Sequence, residues 1–185
     1  VEHTSGTTMD RQASLLSCLV VSNHAALGGG LYVAMGTVER CDIRHNDATG
    51  DGGGVWALQS TLRNSVVARN NSLNGKGGGL SANGQANMAA FCTIADNHAM
   101  DAGGGLFVVN GMLIAQSSIV FGNTSTAGSD HDFGGTDLQA LRCCLGSPLP
   151  GANIAANPMF AGGAAGEDYR LLTASSPCVE AAILD

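Results

Sequence analysis

Charge, proline and aromatic side chains are all scarce in this chain. Of its 185 residues only 12% are charged and 4% aromatic, and there are 4 prolines. Disordered chains combine high charge with few aliphatics, and here 44% of residues are apolar, so disorder is excluded as the default. Basic residues number 8 against 15 acidic ones, a formal charge of −7. That balance excludes the basic face that nucleic acid demands. No uncharged apolar run approaches the ~20 residues of a membrane-spanning helix. Glycine is plentiful but does not recur at every third position, which excludes a collagen triple helix. No leader or lipidation motif is visible, and the chain starts at Val1, as expected of a mature secreted protein or a piece of a longer one.

What is abundant is ordered. Glycine occurs 27 times, and triple glycines begin at Gly28, Gly52, Gly77 and Gly103, spaced 24, 25 and 26 residues apart. An aliphatic follows each one: Leu31, Val55, Leu80 and Leu106. Asparagine recurs in phase with them, at Asn23, Asn46, Asn70, Asn97 and Asn123. Three residues before each stands Val20, Ile43, Val67, Ile94 or Val120, and five before it a small thiol or hydroxyl: Cys18, Cys41, Ser65, Cys92, Ser118. A lone glycine run reads as a flexible linker. Four runs locked to five asparagines read as a structural repeat.

A period of 24–26 residues is too short for helix-pair repeats, which need ~33 or more. Thr37 to Ile43 and Leu106 to Val109 are rich in strand formers, and Val38, Cys41 and Ile43 break strict alternation. A bend between Val38 and Cys41 is therefore expected. Two or three short strands per repeat make one coil of a parallel β-solenoid, with coils stacked ~4.8 Å apart. Equivalent residues then form ladders. The asparagines would bond amide to amide at a turn, and the glycines would allow positive φ or close backbone approach at another corner. The expected fold is all-β: a single-stranded right-handed parallel β-helix of roughly six or seven coils. Residues 1–14 read as an irregular segment or partial coil, 15–125 as regular coils, and 126–185 as irregular closing coils and a cap. All four prolines fall in that last part, because a central strand cannot spare an N–H.

The paired elements, aliphatic-x-x-Asn and Gly-Gly-small-aliphatic, resemble the repeats of polymorphic outer-membrane proteins and related bacterial surface β-helix proteins. Those carry Phe-x-x-Asn and Gly-Gly-Ala-aliphatic; here Val or Ile replaces Phe and Gly replaces Ala. The tail runs Asn153 to Phe160, Asp168-Tyr169-Arg170-Leu171 and Ser176-Pro177-Cys178-Val179-Glu180. It is similar to the terminal coils of β-helix proteins with a choice-of-anchor C-terminus. The resemblance implies a bacterial, secreted, surface-attached protein.

Six cysteines in a short secreted chain usually suggest a disulfide framework. The ladder phase changes that reading. Cys41 and Cys92 flank Ser65 and lie two coils apart, ~9–10 Å, too far to bridge. Cys18, Cys41 and Cys92 are expected as buried free thiols. Cys143 or Cys144 continues their ladder, and the other is left to meet Cys178. Neighbouring cysteines facing opposite sides of a strand do not suit zinc.

Three surface features are candidates for chemistry. Residues flanking the ladder asparagines form an outward polar strip in which Asp47, Arg69, Asp96 and His98 are the weak catalytic candidates. A lyase or hydrolase needs clustered carboxylates beside a base, and this strip has no paired carboxylates on adjacent rungs. Asp130, Asp132 and Asp137 form the densest acidic group and are weak ligands for calcium, a possible cofactor. Tyr32 and Trp56 follow the glycine turns of adjacent coils and could stack on an outer face, as a binding site for a sugar ring or a protein. The expectation is a secreted or cell-surface structural and adhesive module binding a host or neighbouring surface protein or polysaccharide. The alternatives are a truncated polysaccharide lyase or hydrolase and a subunit that self-associates end to end.

Overall fold

The structure is a computed structural model that describes residues 13–127, 131–150, 152–162, 168–172 and 176–178. Its elements are short strands, in parallel sheets of nine, seven and five strands. They wind into a β-solenoid of about 5 turns. One coil shows the plan. Leu31–Ala34 and Thr37–Glu39 lie in the first sheet, Asp42–Arg44 in the second and Asp47–Ala48 in the third. A glycine turn then leads into Val55–Leu58 of the next coil. A coil thus has four short strands, more than the two or three expected. In two later coils the first-sheet pieces fuse into Leu80–Ala90 and Leu106–Gln116.

Left-handed residues make the corners. Ser17, Arg40, Asn64, Phe91, Ser117 and Arg142 turn the chain from the first sheet to the second, all at positive φ. Ser22, His45, Arg69, Asp96 and Gly122 turn it from the second sheet to the third. The expected bend after Val38 thus falls on Arg40, at φ 55°. Such a backbone costs a non-glycine residue of order 1 kcal/mol, and it persists because neighbouring rungs repeat it. The residue after each corner points inward and is small: cysteine or serine at the first corner, asparagine at the second.

The core is a stack of ladders. Val20, Ile43, Val67, Ile94, Val120 and Leu145 pair rung to rung in the second sheet. From Ile43 to Leu145 they are fully buried, each contributing roughly 1.5–3 kcal/mol. The cysteine–serine ladder also joins across rungs: the Cys41 N–H donates to Ser65 Oγ at 3.0 Å, and the Cys92 N–H to Ser118 Oγ at 3.0 Å. Cys143 takes the next rung. Cys18, Cys41, Cys92 and Cys143 are free, as the ladder phase implied for the first three, though Cys18 is only partly buried. Leu138–Leu141 and Cys144–Leu145 are separated by the corner at Arg142.

Each glycine of the triple has its own reason. The first, at Gly28, Gly52, Gly77 and Gly103, has φ between 59° and 73°. A Cβ on the second would collide with the backbone of Asp47, Asn71, His98 or Thr124. A Cβ on the third would lie 2.7–2.9 Å from the Nδ2 of Asn46, Asn70, Asn97 or Asn123. The glycines and asparagines thus touch, and that is why they keep phase in the sequence.

Candidate functional site

The asparagines form a directional chain of bonds. Asn46 Oδ1 accepts the Asn23 backbone N–H and the Asn23 Nδ2–H, both at 3.0 Å. The same pair of bonds recurs from Asn46 to Asn70, Asn70 to Asn97 and Asn97 to Asn123. The second Nδ2 hydrogen of Asn46, Asn70, Asn97 and Asn123 goes to the carbonyl of Val20, Ile43, Val67 and Ile94. Every donor and acceptor of a mid-ladder amide is therefore used, which a buried polar group requires. Asn46, Asn70, Asn97 and Asn123 are buried; Asn23, on the first described rung, is exposed.

Asp132 is the ladder's last member. Its Oδ1 accepts from both Asn123 nitrogens, at 3.1 and 2.9 Å, and the residue is buried. Burial pushes its carboxyl above the ordinary range, opposed by the Asn123 bonds and by the charge of nearby His131. It pairs in register one rung beyond Gly105, the third glycine of its triple, through the Leu106↔Phe133 step. With no further asparagine beneath it, that position can carry a side chain, and the carboxylate fills the missing amide's place. The three acidic candidates are placed as follows. Asp132 Oδ1 serves the ladder, Asp137 is exposed and bonded to Thr136, and Asp130 lies outside the described residues. Among the described residues no three metal-ligating side chains converge. Phe133–Gly135 is a strand paired with Leu106, Phe107 and Val108.

The outward strip is brought together only in part. Arg69 and Asp96 occupy successive corners, and the hydroxyl of Tyr169 lies between them. Arg69 Nε donates to Tyr169 Oη at 3.3 Å, and Oη donates to Asp96 Oδ2 at 3.0 Å. Desolvation pushes the Tyr169 hydroxyl up to about 12, with Arg69 lowering it and the Asp96 carboxylate raising it. Asp47 and His98 are two rungs apart in the third sheet, with Asn71 between them, ~9–10 Å by the strand spacing. The His98 ring nitrogens lie 2.9 Å from Thr124 Oγ1 and 3.2 Å from Thr126 Oγ1. The four candidates therefore do not converge on one point.

Sequence reasoning missed the cover over this strip. Ala68 and Ala95 lie outside the core cluster, one residue after the inward Val67 and Ile94, yet both are 0% exposed. Each precedes a residue that Tyr169 bonds. Among the described residues of the tail the Ala161 N–H donates to Arg170 O and the Leu172 N–H to Met159 O, and Phe160 meets the Tyr169 ring edge-on at 5.2 Å. Cys144 and Cys178 close it with a disulfide, so Cys144 is the cysteine that meets Cys178. The only advance signal was the adjacent pair Cys143-Cys144, one inward and one outward.

Tyr32 and Trp56 do stack, with centroids 4.6 Å apart and planes 14° from parallel. The pair is not equally exposed: Trp56 is 9% exposed and Tyr32 57%. Further along the same ladder stand Ser81, which is buried, and Phe107, whose ring carries Lys76 Nζ at 4.8 Å. The presented aromatic surface is therefore Tyr32, with Trp56 as its support. Comparison of the chain with family models, with curated proteins and with solved structures finds no match.

Proposed function

We propose that this chain is a secreted or cell-surface rod module that binds a partner protein or glycan through its aromatic ladder. The observation that carries the reading is the exposed Tyr32 ring held flat on a buried Trp56. An aromatic with a rigid backing and a free polar tip suits a sugar face or a protein contact at little entropic cost. The Cys144–Cys178 disulfide supports a compartment outside the reducing cytosol. The Asn and glycine ladders support the likeness to bacterial surface β-helix proteins, and with it the right hand and the surface location.

The lyase or hydrolase alternative has its residues in the strip, where Tyr169 already engages Arg69 and Asp96. End-to-end assembly would need a bare coil after the Cys144–Leu145 rung, and the short Ile154–Ala155 strand already pairs there. Both alternatives are the weaker readings for these reasons. The test is binding of the chain to panels of polysaccharides and to intact cell surfaces, parent against Tyr32→Ala. Tyr32 is exposed, so its removal leaves the rod intact, and a fall in affinity of roughly tenfold is expected. Equal binding by parent and Tyr32→Ala, or binding by neither, overturns the reading.

A further inference from the structure

We propose that the cavity beside Asp132 binds a primary alkylammonium group, the chemistry of a lysine side chain, through the second oxygen of the Asp132 carboxylate. The proposal goes beyond the partner-binding reading and does not depend on it. The cavity holds about 330 Å³, within the range of small-molecule sites. Its described lining includes Asp132, the strand Phe133–Gly135 and residues 147–149.

Asp132 is only 5% exposed, so its carboxylate has lost nearly all its water. One oxygen is spoken for, since Oδ1 accepts from both Asn123 nitrogens. Among the described residues nothing donates to Oδ2, and no basic side chain forms an ion pair with it. Oδ2 lies against Gly146, where a Cβ would come within 2.2 Å of it. The Gly146 N–H is spent on Val120 O at 2.9 Å, so that backbone supplies no donor. Nor is Oδ2 sealed in: the one enclosed side-chain atom without a partner among the described residues is Asn71 Oδ1. Oδ2 is therefore reachable from the cavity that Asp132 lines. Burial outweighs the Asn123 bonds and the His131 charge, leaving the carboxyl above its ordinary range. A buried carboxylate with an unpartnered oxygen is costly, and a cation that reaches it offsets the cost.

The rest of the wall selects what carries the cation. Phe133, Leu138, Pro148 and Leu149 give it an apolar lining. Phe133 belongs to the core cluster, and Leu138 and Leu149 pack against that cluster, so the lining is held in place. An alkyl stem suits these side chains, and the N–H donors at its tip suit a pure acceptor. The hydroxyl oxygens of Thr136 and Ser147 are further acceptors on the wall. An amino sugar would bring several hydroxyls against apolar side chains that cannot bond them. A bare metal ion is served less well, because no three metal-ligating side chains converge among the described residues. The formal charge of −7 and the exposed Asp137 beside Thr136 favour the approach of a cation.

The experiment titrates the native chain with n-butylammonium chloride and follows its backbone amide signals by nuclear magnetic resonance. Sodium chloride at equal ionic strength controls for salt, and n-butanol for the stem. Saturable shifts are expected at residues 131–136, 147 and 149, with n-butanol weaker by at least about tenfold. Asp132→Asn keeps the Oδ1 acceptor of the ladder but puts an amide where Oδ2 stands. Its affinity should fall by at least about tenfold, with the signals of the other coils retained. Ser147→Phe, at an exposed position on the cavity wall, leaves Asp132 untouched and fills the space, and it should weaken binding as much. It keeps the test decisive if Asp132→Asn fails to fold. Nα-acetyl-lysine N-methylamide carries the same group on a peptide unit. Tighter binding than n-butylammonium assigns the site to a lysine of a partner protein, and weaker binding assigns it to a free amine. Shifts no larger than those from sodium chloride overturn the proposal. So does parent-like affinity in folded Asp132→Asn or in Ser147→Phe, and so does glucosamine binding more tightly than n-butylammonium.

Discussion

Asp132 Oδ1 accepts two hydrogen bonds from Asn123, one from the backbone N–H at 3.1 Å and one from Nδ2 at 2.9 Å. Four asparagine rungs make the same two-bond step, and the fifth makes it to a carboxylate from another part of the coil. The ladder thus ends on a pure acceptor. An asparagine there would carry an Nδ2 with no rung beneath it to receive its hydrogens.

Replacing Asn70 by Ala leaves the Asn46 N–H and Nδ2–H without the acceptor they use at 3.0 and 2.9 Å, both buried. A loss of roughly 1–3 kcal/mol is expected from each orphaned group. Thermal unfolding of Asn70→Ala should show a clearly lowered midpoint. Asn23→Ala, on the exposed first described rung, should lose less. Equal midpoints for the Asn70 variant and the parent would refute the ladder's structural role.

Asp132 also sets a pH dependence. Its folded pKa lies above the ordinary 3.8 because burial disfavours the charge. A carboxyl of this kind holds its proton more tightly folded than unfolded. Its contribution to stability is therefore greatest at low pH and falls as pH rises from 3.8 through the folded value. Asp132→Asn keeps the Oδ1 acceptor and removes the titration. Denaturant melts between pH 3 and 7 should show a flatter profile for the variant than for the parent. A parent profile that rises through this window with no change on substitution would refute the sign.

The repeat was legible in the sequence because stacking forces one residue type onto every rung. Gly54 lies against Asn70 and Gly79 against Asn97, so neither partner can change alone. The free thiols followed from the same phase: a serine at position 65 separates Cys41 from Cys92. The strip and its cover were legible only by halves. Arg69 and Asp96 could be placed on adjacent corners, but Tyr169 lies far along a non-repeating tail, and no periodicity points from one to the other. Phase puts Trp56 on an outer ladder beside Tyr32, but it does not report that Tyr32 lies over it and that it is buried. Asp132 was read as part of an acidic cluster because charge is visible in a sequence and register across an irregular coil is not.

Gly104 tests the packing of the second glycine. A Cβ there would collide with the N, C and O atoms of Thr124, which are backbone and cannot swing away. Gly104→Ala is expected to cost more than about 3 kcal/mol or to prevent folding, beyond the usual penalty for overpacking. By contrast Asn64→Gly, at a corner with φ 51°, relieves a left-handed backbone and should be neutral or slightly stabilising. Comparing soluble yield and midpoint for the two variants checks both. A Gly104→Ala chain as stable as the parent would mean that the coils stand further apart than described.

Thiol counting separates the ladder cysteines from the bridged pair. Denatured, unreduced protein should release four thiols, those of Cys18, Cys41, Cys92 and Cys143, and six after reduction. In the native state Cys92 should be silent at neutral pH, since burial pushes its thiol up to about 12 and little thiolate forms. Cys18 is half-buried at the first described rung and should react first. Fewer than four thiols in denaturant would place a second bridge within the ladder.

Alkaline titration probes the contact of Tyr169 with Arg69 and Asp96. The Tyr169 hydroxyl is held between the Arg69 guanidinium and the Asp96 carboxylate, and its ionisation is pushed from the ordinary 10 up to about 12. Desolvation is the main cause, and the tyrosinate would in addition face Asp96 across 3.0 Å. A phenol with a raised folded pKa favours its neutral form in the native state. The stability it contributes is complete below pH 10 and is lost as pH rises through 12. The tyrosinate absorbance of the parent should therefore contain a late step near pH 12. Tyr169→Phe should lack that step while Phe160 still packs against the ring. Asp96→Asn removes the charge that opposes ionisation and should move the step to lower pH. A late step that survives in Tyr169→Phe would show that Tyr169 is not the shifted group, and with it that the hydroxyl does not sit between Arg69 and Asp96.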